Sequence, residues 1–471
     1  MGWSLRLLLV SFVLLSACNR DAVTDYETKE HDDNRPLFFD AEQNIYIPSK
    51  NDLLKNLDVA FVYNQDSIQV HFRFETDQPS WYHQYLVYED GEWIRYGGGQ
   101  PGPDPYGLYE DRISMMLDDE SVEQFNHLGG FVTAHQKMRS RTDEIDSEKV
   151  ASHPHLGTNG LNRSDIRKFI PESRDGEPDE SYWARVQPED RLDSLLENGV
   201  FLDLWQWRSH RSNPLGYADN GYVLEYRHSS SGTGMYTNNQ DSNGDPLYMF
   251  DPDITGRHAL SLDRLIAREY GQSDPYFIYE GNAVPFQSDI EWENGDAIPQ
   301  RFLRTPEGSR GALDAKGVYE EGAWNVVIRR TRTSPDPLDS KEIIEGKPYH
   351  VAFSVHTNSS GARWHYVSVP YSLEFGDEVD ADIQAEFVDG PLNSINPTWH
   401  SVPVFYPGQI DYSWLISPEH PGNVFVRDGS FHMLHTHQLE LLTQFIVRQE
   451  LLLLGEDPEE YGISPDVPYE P

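Results

Sequence analysis

Cysteine is nearly absent from this chain of 471 residues, which contains one, Cys18. A single thiol excludes an internal disulfide framework and a cysteine-rich zinc site, because each of these needs more than one cysteine. Long apolar runs are scarce as well, and the mean hydropathy is −0.63. That value excludes a membrane protein with many spanning helices.

Basic residues are few compared with acidic ones. Lysine and arginine total 37 against 78 aspartates and glutamates, so the formal net charge is −41. Such a chain repels a polyanion, which excludes a general nucleic-acid binder. We interpret the acidic excess, which is spread along the whole sequence, as a solvated surface. Hydrophobic residues make up 38% and aromatic residues 12% of the chain, which is enough for a sizeable core.

The N-terminal residues have the pattern of a bacterial export signal. Arg6 precedes a short apolar stretch at 7–15, and the sequence Leu-Ser-Ala-Cys that ends at Cys18 resembles a lipobox. This pattern predicts a signal peptide over 1–17, a lipid anchor on Cys18 and a flexible polar tether over 18–37. We therefore expect a lipoprotein of the cell envelope, on the periplasmic side and held at the outer membrane.

Strand signals dominate the body of the chain. Residues 59–63 and 68–74 alternate apolar and polar side chains and are separated by a polar turn, as in a hairpin with one buried face. Many similar short segments follow, punctuated by Gly, Pro, Asn and Asp. The pattern predicts an all-β fold, an immunoglobulin-like β-sandwich with long loop insertions and few short helices.

The distribution of polar stretches predicts the domain boundaries. The sandwich domain is expected over 38–375, with insertions near 139–198 and 229–320 that are rich in Pro, Gly, Asp and Glu. A C-terminal extension over 376–471 is expected to pack on the sandwich. Leucine and isoleucine at helical spacing over 439–454 predict the best helix of the chain.

Several segments taken in order carry a family resemblance. They are residues 109–119, 202–208, 217–222, 324–330, 349–356 and 361–368. In this order they resemble the haem-binding domain of the ethylbenzene dehydrogenase gamma subunit family, which also includes related DMSO-reductase-type gamma subunits and periplasmic cytochromes. The resemblance covers 38–375 in patches.

The resemblance implies a β-sandwich that holds one b-type haem between its sheets. Its axial ligands would be a Met from an early strand and a Lys from a late strand. The Met falls at Met115 or Met116; the family pattern favours Met116, whereas strand alternation groups Met115 with apolar Ile113 and Leu117. The late ligand falls at His365, and a His/Met pair favours a relatively high reduction potential. A Met in a strand more often fills the core than binds a metal, so a core role for Met115 and Met116 remains the alternative interpretation.

Other residues near these positions are candidates for the same pocket. Arg112 and Arg363 could pair with haem propionates, because a guanidinium matches a carboxylate, although surface ion pairs are an equal alternative. Trp205, Trp207 and Trp364 could form flat walls around a porphyrin or belong to the sandwich core.

The chain departs from its relatives in two places. Some relatives carry cysteines near 129–135, and extended relatives carry a Cys-x-x-Cys-His motif near the C-terminus. Here His135 and His435 are present without the thiols. Covalent haem attachment is therefore excluded at both places, and the two histidines are lesser candidates for haem ligands. The expected cofactor is non-covalent haem b.

A second motif has a weaker link to a metal. Asn239, Asp241, Asn243 and Gly244 resemble the first half of a calcium loop, but Phe250 occupies the twelfth position where a Glu is required. A plain Asx/Gly turn is the alternative interpretation of this segment.

These observations favour a lipid-anchored periplasmic b-type haem protein that transfers electrons and is not itself a catalyst. A molybdenum oxidoreductase or a cytochrome would be its redox partner. The alternative is a haem-free β-sandwich lipoprotein that binds a carbohydrate or another ligand. A third hypothesis is a structural envelope lipoprotein that has lost its ligand.

Overall fold

The structure, a computed structural model, describes residues 35–360, 363–376, 381–418, 429–434 and 436–463. The predicted signal peptide, Cys18 and most of the predicted tether lie outside these residues. Strands hold 31% of the chain and helices 20%, which confirms the prediction of an all-β fold. Within the described residues, no helix is long and apolar enough to cross a membrane.

The strands are short and numerous. In chain order they are β1 Phe38–Asp40, β2 Ile45–Ile47, β3 Leu54–Tyr63, β4 Ser67–Glu75, β5 Tyr85–Glu89, β6 Glu92–Tyr96, β7 Arg112–Asp118, β8 Leu202–Arg208, β9 Tyr217–Val223, β10 Arg227–Ser229, β11 Tyr236–Asn238, β12 Tyr248–Phe250, β13 Leu260–Ser261, β14 Ile278–Tyr279, β15 Ala283–Pro285, β16 Asp296–Pro299, β17 Arg301–Leu303, β18 Leu313–Glu320, β19 Ala323–Thr331, β20 Tyr349–His356, β21 Tyr366–Val367, β22 Tyr371–Phe375, β23 Ile383–Phe387 and β24 His400–Phe405.

The helices lie mainly between the strands and at the C-terminal end. The α-helices are α1 Phe125–Leu128, α2 Ser147–Ala151, α3 Glu189–Glu197, α4 Pro252–Thr255, α5 Leu262–Ile266, α6 Tyr412–Ile416 and α7 Thr436–Leu454. Short 3-10 turns span Lys50–Asp52, Gly129–Thr133, Pro171–Ser173, Tyr182–Ala184, Asn213–Leu215, Gly308–Gly311, Leu392–Ser394, Phe431–Met433 and Pro458–Tyr461.

One large sheet forms the body of the molecule. Its strand order is β21-β24-β3-β23-β22-β20-β7-β8-β9-β18-β19-β4, and further pairings of β4 with β3 and of β20 with β21 close it on itself. The two layers of the expected sandwich are therefore joined at their edges into one continuous sheet. β23 and β24 lie beyond residue 375, so the C-terminal segment contributes strands to the sheet itself.

The core lies inside this closed sheet. Along β4 the side chains of Ile68, Val70, Phe72 and Phe74 are buried, while the alternate positions are less so. Their partners on β3 and β19 supply further apolar side chains in register. This period-two alternation is what a strand with one enclosed face requires. The hairpin predicted from the sequence is present as β3 and β4.

The two insertions are structured. The segment 139–198 contains α2 and α3 and has a small apolar cluster of its own around Phe169 and Tyr182. In the segment 229–320, β13 and β16 join β5 and β6 in a separate four-stranded sheet. α7 begins three residues before the predicted helix and packs its leucines against the outside of the large sheet. The insertions and α7 thereby cover faces that the large sheet leaves open.

Candidate cofactor cavity

The outer face of β7, β8 and β20 forms the floor of a cavity. The strand register places the side chains of this face in three rows across the sheet. The first row is apolar, the second is polar and the third carries the charged residues. The rows are Ala352, Met116 and Leu204; Ser354, Ser114 and Gln206; and His356, Arg112 and Arg208. Because the strands alternate, the neighbouring residues of each strand face the enclosed core instead.

Segments from elsewhere in the chain enclose this floor. The walls are completed by Gly130 and Phe131, by the stretch 166–168, by alternate residues Arg363, His365 and Val367, and by Pro407. The space between these walls, counted together with the part that is open to solvent, has a volume of about 1050 Å³. The resemblance implied a pocket between two sheets, whereas this cavity lies on the outer face of the closed sheet. The space inside the closed sheet is filled by bulky side chains that include Trp205, Trp207 and Trp324.

The two candidate methionines lie on opposite faces of β7. Met115 is 2% exposed and packs in the enclosed core, whereas Met116 lines the cavity. A Cβ atom built on Gly130 would lie 3.9 Å from Met116 Sδ, so a side chain at that position would occupy the space beside the sulfur. Of the two thioethers, the structure therefore places that of Met116 where a ligand in the cavity could meet it.

His365 also lines the cavity, and a second histidine lies against it. The rings of His365 and His356 stack with centroids 4.4 Å apart and an angle of 6° between their planes. Both side chains are buried, and neither Nδ1 atom has a hydrogen-bond partner among the described residues. Unpaired ring nitrogens in a buried site are unusual, because a buried polar atom normally has a partner.

Burial and nearby cations keep both imidazoles neutral. The pKa of His365 lies well below its usual value, first because of burial and then because of Lys168, Arg363 and Arg112. The pKa of His356 is lowered in the same way, by burial first and then by Arg112. A neutral imidazole offers a lone pair, which is the form that binds a metal.

The two predicted propionate partners differ in the structure. Arg112 lines the cavity and donates to the carbonyl of Ser359, and its Nε atom is buried without a hydrogen-bond partner in the described part of the chain. Arg363 also borders the cavity, but it donates to the carbonyl oxygens of Gly408 at 2.8 Å and Ile410 at 2.6 Å. Its guanidinium therefore clamps the loop that closes the cavity, and Arg112 is the better placed of the two for a carboxylate.

Four further cations, which the sequence did not single out, line the cavity: Arg139, Arg167, Lys168 and Arg227. Arg139 and Arg167 pair with Asp165. Burial, followed by the charges of Arg363 and Arg227, lowers the pKa of Lys168 to about 7. The Lys168 ammonium donates to Thr133 Oγ1 at 3.2 Å. Arg227 donates to Gln206 Oε1 at 2.8 Å, and burial lowers its pKa to about 9. A lysine that loses its proton near neutrality is a third nitrogen that could bind a metal.

The remaining predicted pocket residues lie elsewhere. Trp205 and Trp207 are fully buried in the enclosed core, so they line neither a haem cavity nor an exposed platform for sugars. Trp364 lies at the polar mouth outside the cavity. His135 stacks on Phe169 at 3.8 Å and its Nε2 atom bonds to the carbonyl of that residue at 3.0 Å, which identifies it as a structural residue. His435 lies outside the described residues.

The segment that resembled a calcium loop is a hydrogen-bonded turn. Asp241 Oδ1 accepts from the amides of Asn243 at 2.8 Å and Asp245 at 3.0 Å. The amide group of Asn239 is buried and bonds to the carbonyls of Tyr248 and Pro299. Across the described ranges there is no group of three or more His, Cys, Asp or Glu residues that could hold a metal ion. The structure thus supports the Asx/Gly turn and not the calcium site.

The lining of the cavity suits an amphipathic ligand. Its inner end is apolar around Met116 and Leu204, and its outer end is cationic around Arg112 and Arg227. A porphyrin with two carboxylates on one edge and an iron that accepts sulfur and nitrogen ligands has this distribution of chemistry. The residues present therefore fit a non-covalent haem. The sequence analysis did not identify Lys168, Gln206, Arg227 and His356, which line the cavity. For His356 a signal was available, because it lies on the same face of β20 as Ala352 and Ser354.

Two comparisons place the chain among known proteins. A curated protein, cytochrome c-552 of Stutzerimonas stutzeri, is 33% identical over 82 residues, which is 17% of this chain and 27% of that protein. The match therefore spans about a quarter of that relative's length. The family model of ethylbenzene dehydrogenase matches residues 22–368. Because this second match extends over more than half of the sequence, the chain belongs to the ethylbenzene dehydrogenase family.

Proposed function

We propose that this chain is a b-type haem protein that transfers electrons at the cell envelope, held there by a lipid on Cys18. The family match and the cytochrome match both point to a haem-related electron-transfer protein. The observation that carries the proposal is the cavity that Met116 and His365 line together, with Arg112, whose buried Nε atom has no hydrogen-bond partner among the described residues, at its polar end. No thiol is available there, so the haem would be held without a covalent bond.

The chain's own residues would each perform a separate task. Met116 and His365 would hold the iron, and the low pKa of His365 keeps its lone pair free of a proton. His356 stacks on His365 and would set the orientation of that ring. Arg112 and Arg227 would bind the propionates. The haem supplies one-electron redox chemistry when it is bound.

The walls of the cavity would exclude water from the iron. Phe131 and Leu204 provide apolar surface, and Arg363 fixes the 407–410 loop across the opening through backbone carbonyls. A dry and rigid environment of this kind tunes the potential of a redox centre. We propose that the partner that gives or takes the electron is a molybdenum oxidoreductase or another cytochrome.

An absorption spectrum tests the proposal. The protein, produced in a haem-sufficient periplasm, should show a Soret band and, after dithionite, sharp α and β bands of a low-spin, six-coordinate haem. Met116→Leu removes the sulfur while nearly conserving volume. His365→Ala removes the ring nitrogen. Each variant should lose the six-coordinate signature while the protein stays folded by circular dichroism.

Two results would refute the assignment. One is a visible spectrum that stays featureless after hemin titration of the folded protein. The other is a six-coordinate spectrum that survives both substitutions together. The first would also restore the haem-free hypothesis, although the tryptophans that suggested sugar stacking are buried.

A further inference from the structure

A second cavity, here called the arginine vestibule, adjoins the proposed haem cavity. It is polar, open to solvent, and has an empty volume of about 2210 Å³. Ten arginines line it against three carboxylates, those of Glu144, Asp165 and Asp219. This concentration of positive charge lies in a chain whose formal net charge is −41. The residues that line both cavities are Arg112, Arg139, Arg167, Gln206, Arg227 and Ser360.

Half of these arginines form ion pairs with carboxylates. The pairs are Arg208 and Arg310 with Asp219, Arg211 with Glu110, and Arg139 and Arg167 with Asp165. Asp219 bridges its two guanidiniums at 2.5 and 2.9 Å, and their charges hold its pKa well below the usual range despite burial. These pairs are the fixed frame of the vestibule.

The other five arginines form no ion pair with a carboxylate among the described residues. They are Arg95, Arg112, Arg163, Arg227 and Arg301. Arg301 donates to the neutral oxygens of Asn238 at 3.2 Å and Gln84 at 3.4 Å, and its Nε atom is buried without a hydrogen-bond partner in the described ranges. Arg301 as a whole is half-buried, and a cation partly removed from water without a counter-charge loses hydration that is not fully compensated.

The pKa of Tyr236, which lines the vestibule, reflects the positive charge around it. Arg211 and Arg301 lie within 6 Å of the Tyr236 ring, at 5.2 and 5.7 Å from its centroid. The charge of Arg211 lowers the pKa of Tyr236, although burial opposes the change. Burial raises the pKa of Tyr222 to about 12, which is the usual direction for a buried phenol. Excess positive charge therefore reaches the side of the vestibule away from the haem cavity.

A haem would use only part of this charge. It carries two propionates, and Arg112 and Arg227 are the unpaired cations that also line the haem cavity. Arg95, Arg163 and Arg301 line the vestibule alone. Of these three, Arg301 is half-buried and lies over the Tyr236 ring, and neither a haem propionate nor a carboxylate of the described residues is placed to neutralise it.

We propose that the arginine vestibule binds a small multivalent anion, a phosphate or a polycarboxylate, beside Arg301 and Tyr236, with the Glu110-paired Arg211 as the neighbouring guanidinium. The planar guanidinium fork matches both kinds of anion through paired hydrogen bonds. A small ligand suits the site because its cations line a recessed cavity, whereas the surface of the chain as a whole is acidic and repels large anions at a distance.

Titration calorimetry tests the site in haem-free and haem-loaded protein. Inorganic phosphate and citrate are titrated separately, with ionic strength held constant by sodium chloride. We expect saturable binding of one anion per chain by at least one of them. Arg301→Gln should weaken it about tenfold or more, because it removes a charged hydrogen-bond donor. The haem spectrum should not change, since Arg301 does not line the haem cavity.

A matched control and a second variant keep the test decisive. Arg329→Gln on β19 removes an exposed arginine that lines neither cavity, and its anion affinity should equal that of the wild type. Tyr236→Phe removes the phenol hydroxyl of the proposed site and keeps the ring, so it should also weaken anion binding and tests the site even if Arg301→Gln fails to fold.

Each other outcome separates the hypotheses. Absence of phosphate and citrate binding above the chloride background overturns the proposal, as does an equal loss in Arg329→Gln. Binding of an acidic peptide alone would replace it with a protein-docking surface. A protein that binds the anion but takes up no haem would refute the proposed function and leave the vestibule site standing.

Discussion

The two faces of β7, β8 and β20 are built from alternate residues of the same strands, yet they have opposite characters. The inner face carries Ile113, Met115 and Trp205 in a tightly filled core. The outer face carries Arg112, Ser114 and Met116 around a cavity. The difference shows that adjacent residues of one strand can have different roles, one packing the core and the next lining a cavity, because a strand turns successive side chains to opposite sides.

The largest effect should come from emptying the inner face. Trp205 is fully buried, and its indole N–H donates to Asp203 at 2.9 Å. Trp205→Ala should lower the free energy of unfolding by about 3–5 kcal/mol, because it leaves a large cavity. Urea denaturation measures this value. Ser114→Ala on the outer face, the matched control, should cost about 1 kcal/mol, the value of one hydrogen bond. Equal costs on the two faces would contradict the comparison.

The outer face should make stability depend on pH through its neutral histidines. The native pKa of His356 lies well below 6.5, so below that pH the unfolded chain binds a proton that the folded chain does not. Stability should therefore fall as the pH decreases from 7 to 5, by about 2 kcal/mol for each such histidine.

Urea denaturation of haem-free protein at pH 7 and pH 5 measures this dependence. Buried carboxyl groups act in the opposite direction; burial raises the pKa of Glu450 to about 7. The informative quantity is therefore the change in the free energy of unfolding between pH 7 and pH 5, compared between the wild type and His356→Asn. The variant should lose about 2 kcal/mol less of this free energy than the wild type. An identical pH dependence in both proteins would show that His356 titrates normally.

The adjacent methionines allow the sharpest comparison. Met115→Leu and Met116→Leu make the same chemical change on the two faces of β7, and each should cost less than about 1.5 kcal/mol of stability. Only Met116→Leu should alter the reduced haem spectrum. A spectral change in Met115→Leu with none in Met116→Leu would reverse the assignment of the two faces.

The smallest expected effect links the two cavities. An anion in the vestibule stabilises the more positive, oxidised iron, so phosphate should lower the reduction potential at constant ionic strength. A tenfold preference for the oxidised form corresponds to about 59 mV for one electron. Redox titration with and without phosphate measures the shift, which Arg301→Gln should abolish. A potential that does not change under saturating phosphate would show that the two sites are independent.

Much of the fold was predictable from local patterns. Alternation in β3 and β4 identified the hairpin, and leucine spacing identified most of α7. Trp205 and Trp207, by contrast, were assigned to either the pocket or the core, because an aromatic strand residue suits both environments until the enclosed face is known. The insertions 139–198 and 229–320 were expected to be loops, since their short strands and helices are stabilised by distant contacts rather than by a repeating pattern.

The sequence by itself determined the all-β class, the family, the absence of thiols for covalent haem, and Met116 and His365 as ligand candidates. Tertiary structure decided that the cavity lies outside the closed sheet, that Met116 faces it, and that His356 and Lys168 join it. It also brought Arg95, Arg211 and Arg301 to one vestibule. The physical reason is that alternation defines two faces of each strand, whereas long-range pairing and the covering segments decide which face is filled and which is left open.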